Sequence, residues 1–432
     1  MPAFEPGIDF AAALDSADAL ARYRRAFDLP RQGSKGLVYL CGHSLGPLPK
    51  TARRAIEVEL ERWAKLGVEG HFDGTDGWYS YHERFAAPLA ELVGAHADEV
   101  VAMSSLTVNL HLMLATFYRP TGKRAKIVIE RGAFPSDRYA VQSQLRHHGL
   151  DPKTHLLELE GSARASGPRA AKVLETGELE LMLAERGDEI ALVLLPGVQF
   201  FTGQALALEE YTRIAQRYDC RIGFDLAHAI GNVPLALHDA GADFAVWCSY
   251  KYLNAGPGAI GGCFVHRRWH ERADLPRLAG WWGHDPATRF ALRDAITPMR
   301  GAQAWQLSNP PVLAMAPLAA SLAIFESATL KALRKKSVRM TGYLEALIEH
   351  ELGERVRILT PRAANARGAQ LSVRVDVEPA RLDGVRCALR AAGVVVDWRG
   401  DDVLRLAPAP LYNRYRDVHA AVRALRSALD RK

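Results

Sequence analysis

The spacing of apolar and polar positions changes character several times along the chain. Within the first 35 residues Ala19, Leu20, Tyr23 and Phe27 recur at helical spacing, which predicts a helical arm. A short apolar run, LVYL, leads into GHSLGPLPK, and from Thr51 the stretch ARRAIEVELERWAKL predicts an amphipathic helix. The segment HFDGTDGWYSYHERF then breaks the periodicity; its glycines, aspartates and aromatics read as a loop that either lines a site or caps the core. Strand-like apolar runs follow, alternating with helical stretches: EVVAM, a helix over 107–118, AKIVIE, a helix over 137–147, THLLEL, a polar helical stretch, IALVLLP, the helix LEEYTRIAQRY, then RIGFDL, DFAVWCS and AIGGCFVH. Such alternation predicts an α/β fold with a mainly parallel sheet covered by helices.

After Pro310 the texture shifts. A long helical region, PVLAMAPLAASLAIFESATLKALRKKSVRMTGYLEALIEHEL, leads into QLSVRVDVE, a helix, VVVDW, VLRLAPA and a final helix, so a smaller α/β domain on a long connecting helix is expected. The expected division is an N-terminal arm and part of the small domain at 1–50, a large domain at 51–310 and a small C-terminal domain at 311–432. No internal repeat is visible, and the low-complexity stretch is the short GSARASGPRAA near residue 165.

Charge and cysteine content narrow the classes. The net charge of +6 is spread without a long basic block, which argues against a nucleic-acid partner. Five cysteines with no CxxC pair argue against a disulfide framework or a zinc ribbon. No apolar stretch approaches the ~20 residues that span a bilayer, so no membrane partner is expected. The first twenty residues lack the basic-then-apolar order of a signal peptide, and a cytoplasmic location is expected.

Two stretches carry candidate chemistry. GHSLG matches the G-x-S-x-G pattern of a hydrolase nucleophile elbow at Ser44, but that elbow needs a helix directly after the serine, and Pro47 and Pro49 oppose one; a turn before the Thr51 helix is the better reading. The other stretch is RIGFDLAHAIGNVPLALHDAGADFAVWCSYKYLNAGPGAIGG. Between Lys172 and Lys331 its Lys251 is the only lysine, beside Tyr250 and a glycine-rich turn. A desolvated lysine is a nucleophile that can form a Schiff base, most commonly with pyridoxal phosphate. That cofactor asks for an acid at its pyridinium nitrogen, donors for its phosphate and a ring against its face. Asp225, at the end of the apolar run RIGF, is the candidate acid, since ligands bind at the carboxyl ends of strands in open α/β sheets. Leu106 and Thr107, at a helix start, are candidate phosphate contacts; AFPSD supplies Phe134 as the candidate ring, with Ser136 and Asp137 as polar contacts. Taken singly, each has a plainer reading: Asp225 and Thr107 as caps, Phe134 and His228 as core.

Taken in order, SLTVNLHLML, FPSD, GVQFFTGQ, DLAHAIGNVP, the Lys251 stretch, GWWGH, SNPP and LAPAPLYN resemble the kynureninase family, pyridoxal-phosphate enzymes of the aspartate-aminotransferase fold (fold type I). The resemblance spans most of the chain. It implies a homodimer with shared active sites, Lys251 as the Schiff-base lysine, Asp225 as the pyridinium partner and Phe134 as the stacking ring. It further implies cofactor contacts from Leu106, Thr107, Ser136, Asp137, His228, Tyr250, Trp281 and Asn309, the last two reaching across the dimer. Arg405 would bind the substrate α-carboxylate, and His71, Ser308 and Asn309 would line the substrate ring. The family usually reads GNSLG where this chain has His43.

The activity so implied is hydrolytic Cβ–Cγ cleavage of L-kynurenine or its 3-hydroxy form to anthranilate or 3-hydroxyanthranilate plus L-alanine, in tryptophan catabolism, with Lys251 moving the α-proton and Tyr250 as proton donor. The alternatives are another reaction on this fold, by a cysteine desulfurase or an aminotransferase, and a Ser44 serine hydrolase.

Overall fold

The computed structural model describes residues 4–163, 172–272 and 274–431. Its centre is a seven-stranded sheet of β1 (Val100–Ala102), β2 (Lys126–Glu130), β3 (Leu156–Leu159), β4 (Ile190–Pro196), β5 (Arg221–Asp225), β6 (Phe244–Cys248) and β7 (Gly261–Val265). The spatial order is β1-β7-β6-β5-β4-β2-β3. Only β7 runs antiparallel to its neighbours. The strands read as continuous apolar runs because both faces are covered, which is the usual price of a parallel sheet. Successive side chains alternate between two cores: Val193, Leu195, Ile222, Phe224 and Trp247 face one, and Leu192, Leu194, Phe244, Val246 and Cys263 the other.

A third core belongs to a four-stranded antiparallel sheet of β8 (Val356–Ile358), β9 (Leu371–Val375), β10 (Asp397–Arg399) and β11 (Val403–Leu406), ordered β8-β9-β11-β10. The helices Leu330–Leu352, Pro379–Ala391 and Tyr415–Asp430 pack on it.

Three expectations need correction. The N-terminal arm is helical only at Ile8–Ser16; Ala21–Ala26 is a tight 3-10 segment and Arg31–Gln32 pairs with Lys35–Gly36 as a short hairpin. Leu20, Tyr23 and Phe27 keep helical spacing but are buried in the large core, whereas Ala11 joins the small one. The helical region after Pro310 is two helices, Val312–Ala328 and Leu330–Leu352, meeting at 79°. The break is at Thr329, which adopts φ +58° and whose hydroxyl accepts the Ala332 N–H at 3.3 Å, capping the second helix. VVVDW is two strands: Val394–Val395 pairs with Val38–Tyr39, and Asp397–Arg399 pairs with β11. Most of the low-complexity stretch near residue 165 lies outside the described residues.

Candidate active site

The carboxyl ends of β2, β4, β5 and β6 converge on a cavity of about 160 Å³. It is lined by Leu106, Thr107, Glu130, Phe134, Ser136, Asp137, Phe200, Asp225, His228, Tyr250 and Lys251, among others. Nine residues inferred from the sequence therefore meet in one place, though they span 146 positions of chain from Leu106 to Lys251.

Local sequence explains how each reaches it. Leu106–Phe117 begins at Ser105, which makes no side-chain cap, so the first amide groups of the helix are left for another acceptor. Gly261 permits this approach, since a Cβ there would stand 3.1 Å from the Leu106 nitrogen and 2.8 Å from the Trp247 carbonyl oxygen. The next helix, Pro135–His147, starts with proline at a position where its missing N–H is no loss, and delivers Ser136 and Asp137. The hydroxyls of Thr107 and Ser136 lie 2.8 Å apart. Asp225 ends β5 and accepts the Ala227 N–H at 2.6 Å, which fixes its carboxylate at the strand end. Lys251 Nζ lies 5.7 Å from the centroid of Phe134 and 5.9 Å from that of Tyr250.

The cavity gathers three buried acids beside Lys251. Glu130, Asp137 and Asp225 are all buried in it. Burial first, and Asp225 nearby, raise the Glu130 carboxyl to about 8. Burial and the Asp225 carboxylate also push Asp137 upward, and one of its oxygens has no partner. His228 is wholly buried, which drives its pKa well down, and its Nδ1 is likewise unpartnered. Burial, then Cys248, keeps the Tyr250 phenol protonated far above its usual range. A cationic N–H donor between these acids, and an anion at the uncapped helix starts, would satisfy what the chain leaves open. The donor set fits pyridoxal phosphate, which Lys251 would hold through its amine.

Arg405, 1% exposed, is joined to this cavity through Phe200. Its Nη1 donates to the Phe200 carbonyl at 2.7 Å; the Phe200 ring stands edge-on to Phe134 at 5.2 Å. The rest of the Arg405 fork, Nε and Nη2, is held by Asp397 Oδ2, its direct cross-strand partner. Burial alone would raise Asp397, but His43 and Arg405 hold it at about 2.

Besides Arg405, four inferred residues do not line the cavity. His71 and Asn309 line a separate pocket of about 490 Å³ with Trp63, Trp78 and Leu313, and Ser308 is exposed beside Asn309. Trp281 is 46% exposed, its indole N–H donating to the Arg289 carbonyl at 3.0 Å. Sequence reasoning missed Glu130, Phe200 and Asp397. Glu130 carried the same signal as Asp225, an acid closing an apolar strand; Asp397 could be found only by the register of β10 against β11.

The rival chemistries find little here. Ser44 is in a turn, the next helix starts only at Lys50, and neither ring nitrogen of adjacent His43 has a hydrogen-bond partner, so His43 is not engaged with Ser44 as a base. Of the cysteines, Cys220, Cys248 and Cys263 are buried, burial raises Cys41 to about 11, and Cys387 is on the outer helix Pro379–Ala391.

Comparison with known proteins agrees. Residues 333–425 match the kynureninase C-terminal domain family. A kynureninase of Xanthomonas campestris pv. campestris (strain B100) is 53% identical over 412 residues, 95% of this chain and 96% of that protein. One from Xanthomonas oryzae pv. oryzae (strain PXO99A) is similar to the same extent. Among solved structures, a C-DES mutant with glycine covalently linked to its PLP cofactor matches with TM-score 0.75 and 17% identity, covering 93% of this chain and 98% of that one. The Escherichia coli cysteine desulfurase CsdA matches with TM-score 0.74 and 18% identity, covering 95% and 98%. At such identities these structures establish the fold alone, whereas the full-length match at 53% identity places the chain in the kynureninase family.

Proposed function

We propose that this protein is a pyridoxal-phosphate-dependent hydrolase cleaving the Cβ–Cγ bond of L-kynurenine, 3-hydroxy-L-kynurenine or both, giving anthranilate or 3-hydroxyanthranilate plus L-alanine. The observation that carries the reading is that Lys251 and Asp225 share one cavity with Phe200, whose carbonyl accepts from Arg405, in a chain 53% identical to kynureninases. Bound pyridoxal phosphate supplies an aldehyde that condenses with amines and a ring that accepts an electron pair. Asp225 would hold the ring N–H, Phe134 would cover one face, and Leu106, Thr107, Ser136 and Asp137, with His228, would form the remaining contacts. Arg405 grips the substrate α-carboxylate through its planar fork and so orients the α-carbon. Lys251 would hold the aldehyde of the bound cofactor and, as a free amine once substrate is seated, would move the α-proton. Water adds to the γ-carbonyl and the gem-diol collapses, releasing the aromatic acid. Tyr250 Oη, kept protonated by burial, gives a proton to Cβ.

His71, Ser308, Asn309 and Trp281 belong, in this reading, to the ring pocket and cofactor edge completed by a second subunit. Support comes from an exposed aromatic surface that includes Trp281: Phe72 and Tyr79 pack on Phe290, which stands edge-on to Trp281 at 5.3 Å, and nearby Leu292 is 88% exposed. The large and small domains divide near Thr329 rather than Pro310, since Val312–Ala328 packs in the large core. Among the described residues no single helix is long and apolar enough to cross a membrane. A cytoplasmic setting suits these features.

The test is the absorbance spectrum of the purified protein, followed by kynurenine and 3-hydroxykynurenine with detection of the aromatic acid and alanine. Lys251→Ala should lose both the visible chromophore and turnover. A wild-type protein that stays colourless and inactive with added pyridoxal phosphate refutes the proposal.

A further inference from the structure

Beside the carboxylate clamp, His43 is a buried base whose ring makes no hydrogen bond. It is 0% exposed, and both ring nitrogens lack a hydrogen-bond partner. Its Nε2 lies 3.7 Å from Asp397 Oδ2, an ion-pair distance once the ring is protonated. Its ring centroid is 6.0 Å from that of His228. It is held there because Gly42, next to it, leaves room for the Tyr412 hydroxyl: a Cβ at Gly42 would stand 1.8 Å from that oxygen.

Asp397 meanwhile occupies the Arg405 fork that the function proposed above assigns to the substrate carboxylate. One guanidinium cannot offer the same Nε–Nη2 edge to two carboxylates. A substrate that takes it leaves Asp397 as a second, partly buried negative charge, with Arg399 Nε at 3.2 Å as its remaining cation. A charge uncovered in such a site is compensated by a proton on the nearest base.

We propose that His43 is a positioning residue for substrate binding, taking up a proton as the substrate carboxylate displaces Asp397 from Arg405, so that His43 and Asp397 form an ion pair in the bound state. The inference rests on Arg405 being the α-carboxylate clamp.

The surroundings set the direction. His43 is faced by Asp397 and Arg405 from the small sheet, by Lys251 and His228 from the loops after β6 and β5, and by Tyr412; Arg399 and Cys41 flank Asp397. With Asp397 engaged by Arg405, burial holds His43 near 4, hence neutral. Asp397 at 3.7 Å already raises it and Arg405 lowers it, so a substrate carboxylate that neutralises Arg405 raises it further. The added carboxylate charge, in a site this buried, moves the His43 titration upward toward the neutral range.

The experiment is calorimetric titration of the cofactor-loaded protein at pH 6.5 with 4-(2-aminophenyl)-4-oxobutanoate, which keeps the carboxylate and aromatic ketone of kynurenine but has no α-amine to react with the cofactor. Binding heats in phosphate and in imidazole buffer, which differ in ionisation heat, give the number of protons taken up. Wild type should take up roughly half to one proton per site, and His43→Asn and His43→Gln close to none, with their visible spectra unchanged to show that the site is intact. Binding without proton uptake by wild type overturns the role of His43 and leaves the substrate reading standing, as does undiminished uptake by either variant, which would make Asp397 the acceptor. No binding by wild type, at concentrations where kynurenine is turned over, overturns Arg405 as the clamp and this inference with it.

Discussion

Glu130 offers the sharpest stability test. Its carboxyl closes β2 inside the cavity, 5% exposed, with Asp225 and Asp137 as neighbours and no ion pair of its own among the described residues. Burial raises it from 4.5 to about 8 in the folded protein, whereas in the unfolded chain it ionises as an ordinary carboxylate. Below pH 4.5 both states carry the proton and Glu130 has no pH-linked effect. Between 4.5 and about 8 the unfolded chain sheds a proton that the folded one keeps, so stability falls as pH rises, by ~1.4 kcal/mol per pH unit. The whole window comes to about 5 kcal/mol, which water entering the site on ionisation would reduce to about 3. Glu130→Gln keeps the shape and a hydrogen-bonding end but cannot ionise. The cofactor-free variant should match wild type near pH 4.5–5 and exceed it by about 3–5 kcal/mol at pH 8 in urea unfolding at equal protein concentration. Parallel pH profiles for the two proteins would show that Glu130 ionises normally, and the reasoning about the anionic cluster would be wrong.

Other substitutions probe other parts of the site. Arg405→Lys replaces a bidentate fork by a point charge and should raise KM for kynurenine about 100-fold while leaving the cofactor absorbance intact; an unchanged KM would remove Arg405 from the substrate site. Asp397, held at about 2 by His43 and Arg405 against its burial, stabilises the fold above pH 3.8, and this is lost as pH falls through about 2. After allowance for its solvent contact the effect is about 1–2 kcal/mol, so Asp397→Asn should flatten the acid limb of a stability profile, and an unaltered limb would refute the pairing. Leu292→Asp, on the exposed aromatic surface, should shift the protein to monomer in sedimentation and lower turnover, with each chain keeping its fold; an unchanged assembly would place the subunit contact elsewhere.

The chain by itself determined the alternating β and α elements, because strands buried on both faces must be apolar throughout while their covering helices need only one apolar face. It also determined most of the cavity: an acid ending an apolar strand, a serine or threonine at a helix start and an isolated lysine before a glycine turn are local signals, and Asp225, Thr107, Ser136 and Lys251 all carry them. Only the tertiary structure decided the rest. The bend at Thr329 and the tight N-terminal turns depend on packing that competes with helical spacing, as Leu20, Tyr23 and Phe27 show by entering the large core from a non-helical segment. Asp397 meets Arg405 through strand register, and a register has no signature in either strand alone. Burial, which moves Glu130 up and His43 down, is a property of everything packed around a group, so the charge state of the site became legible only once the chain was folded.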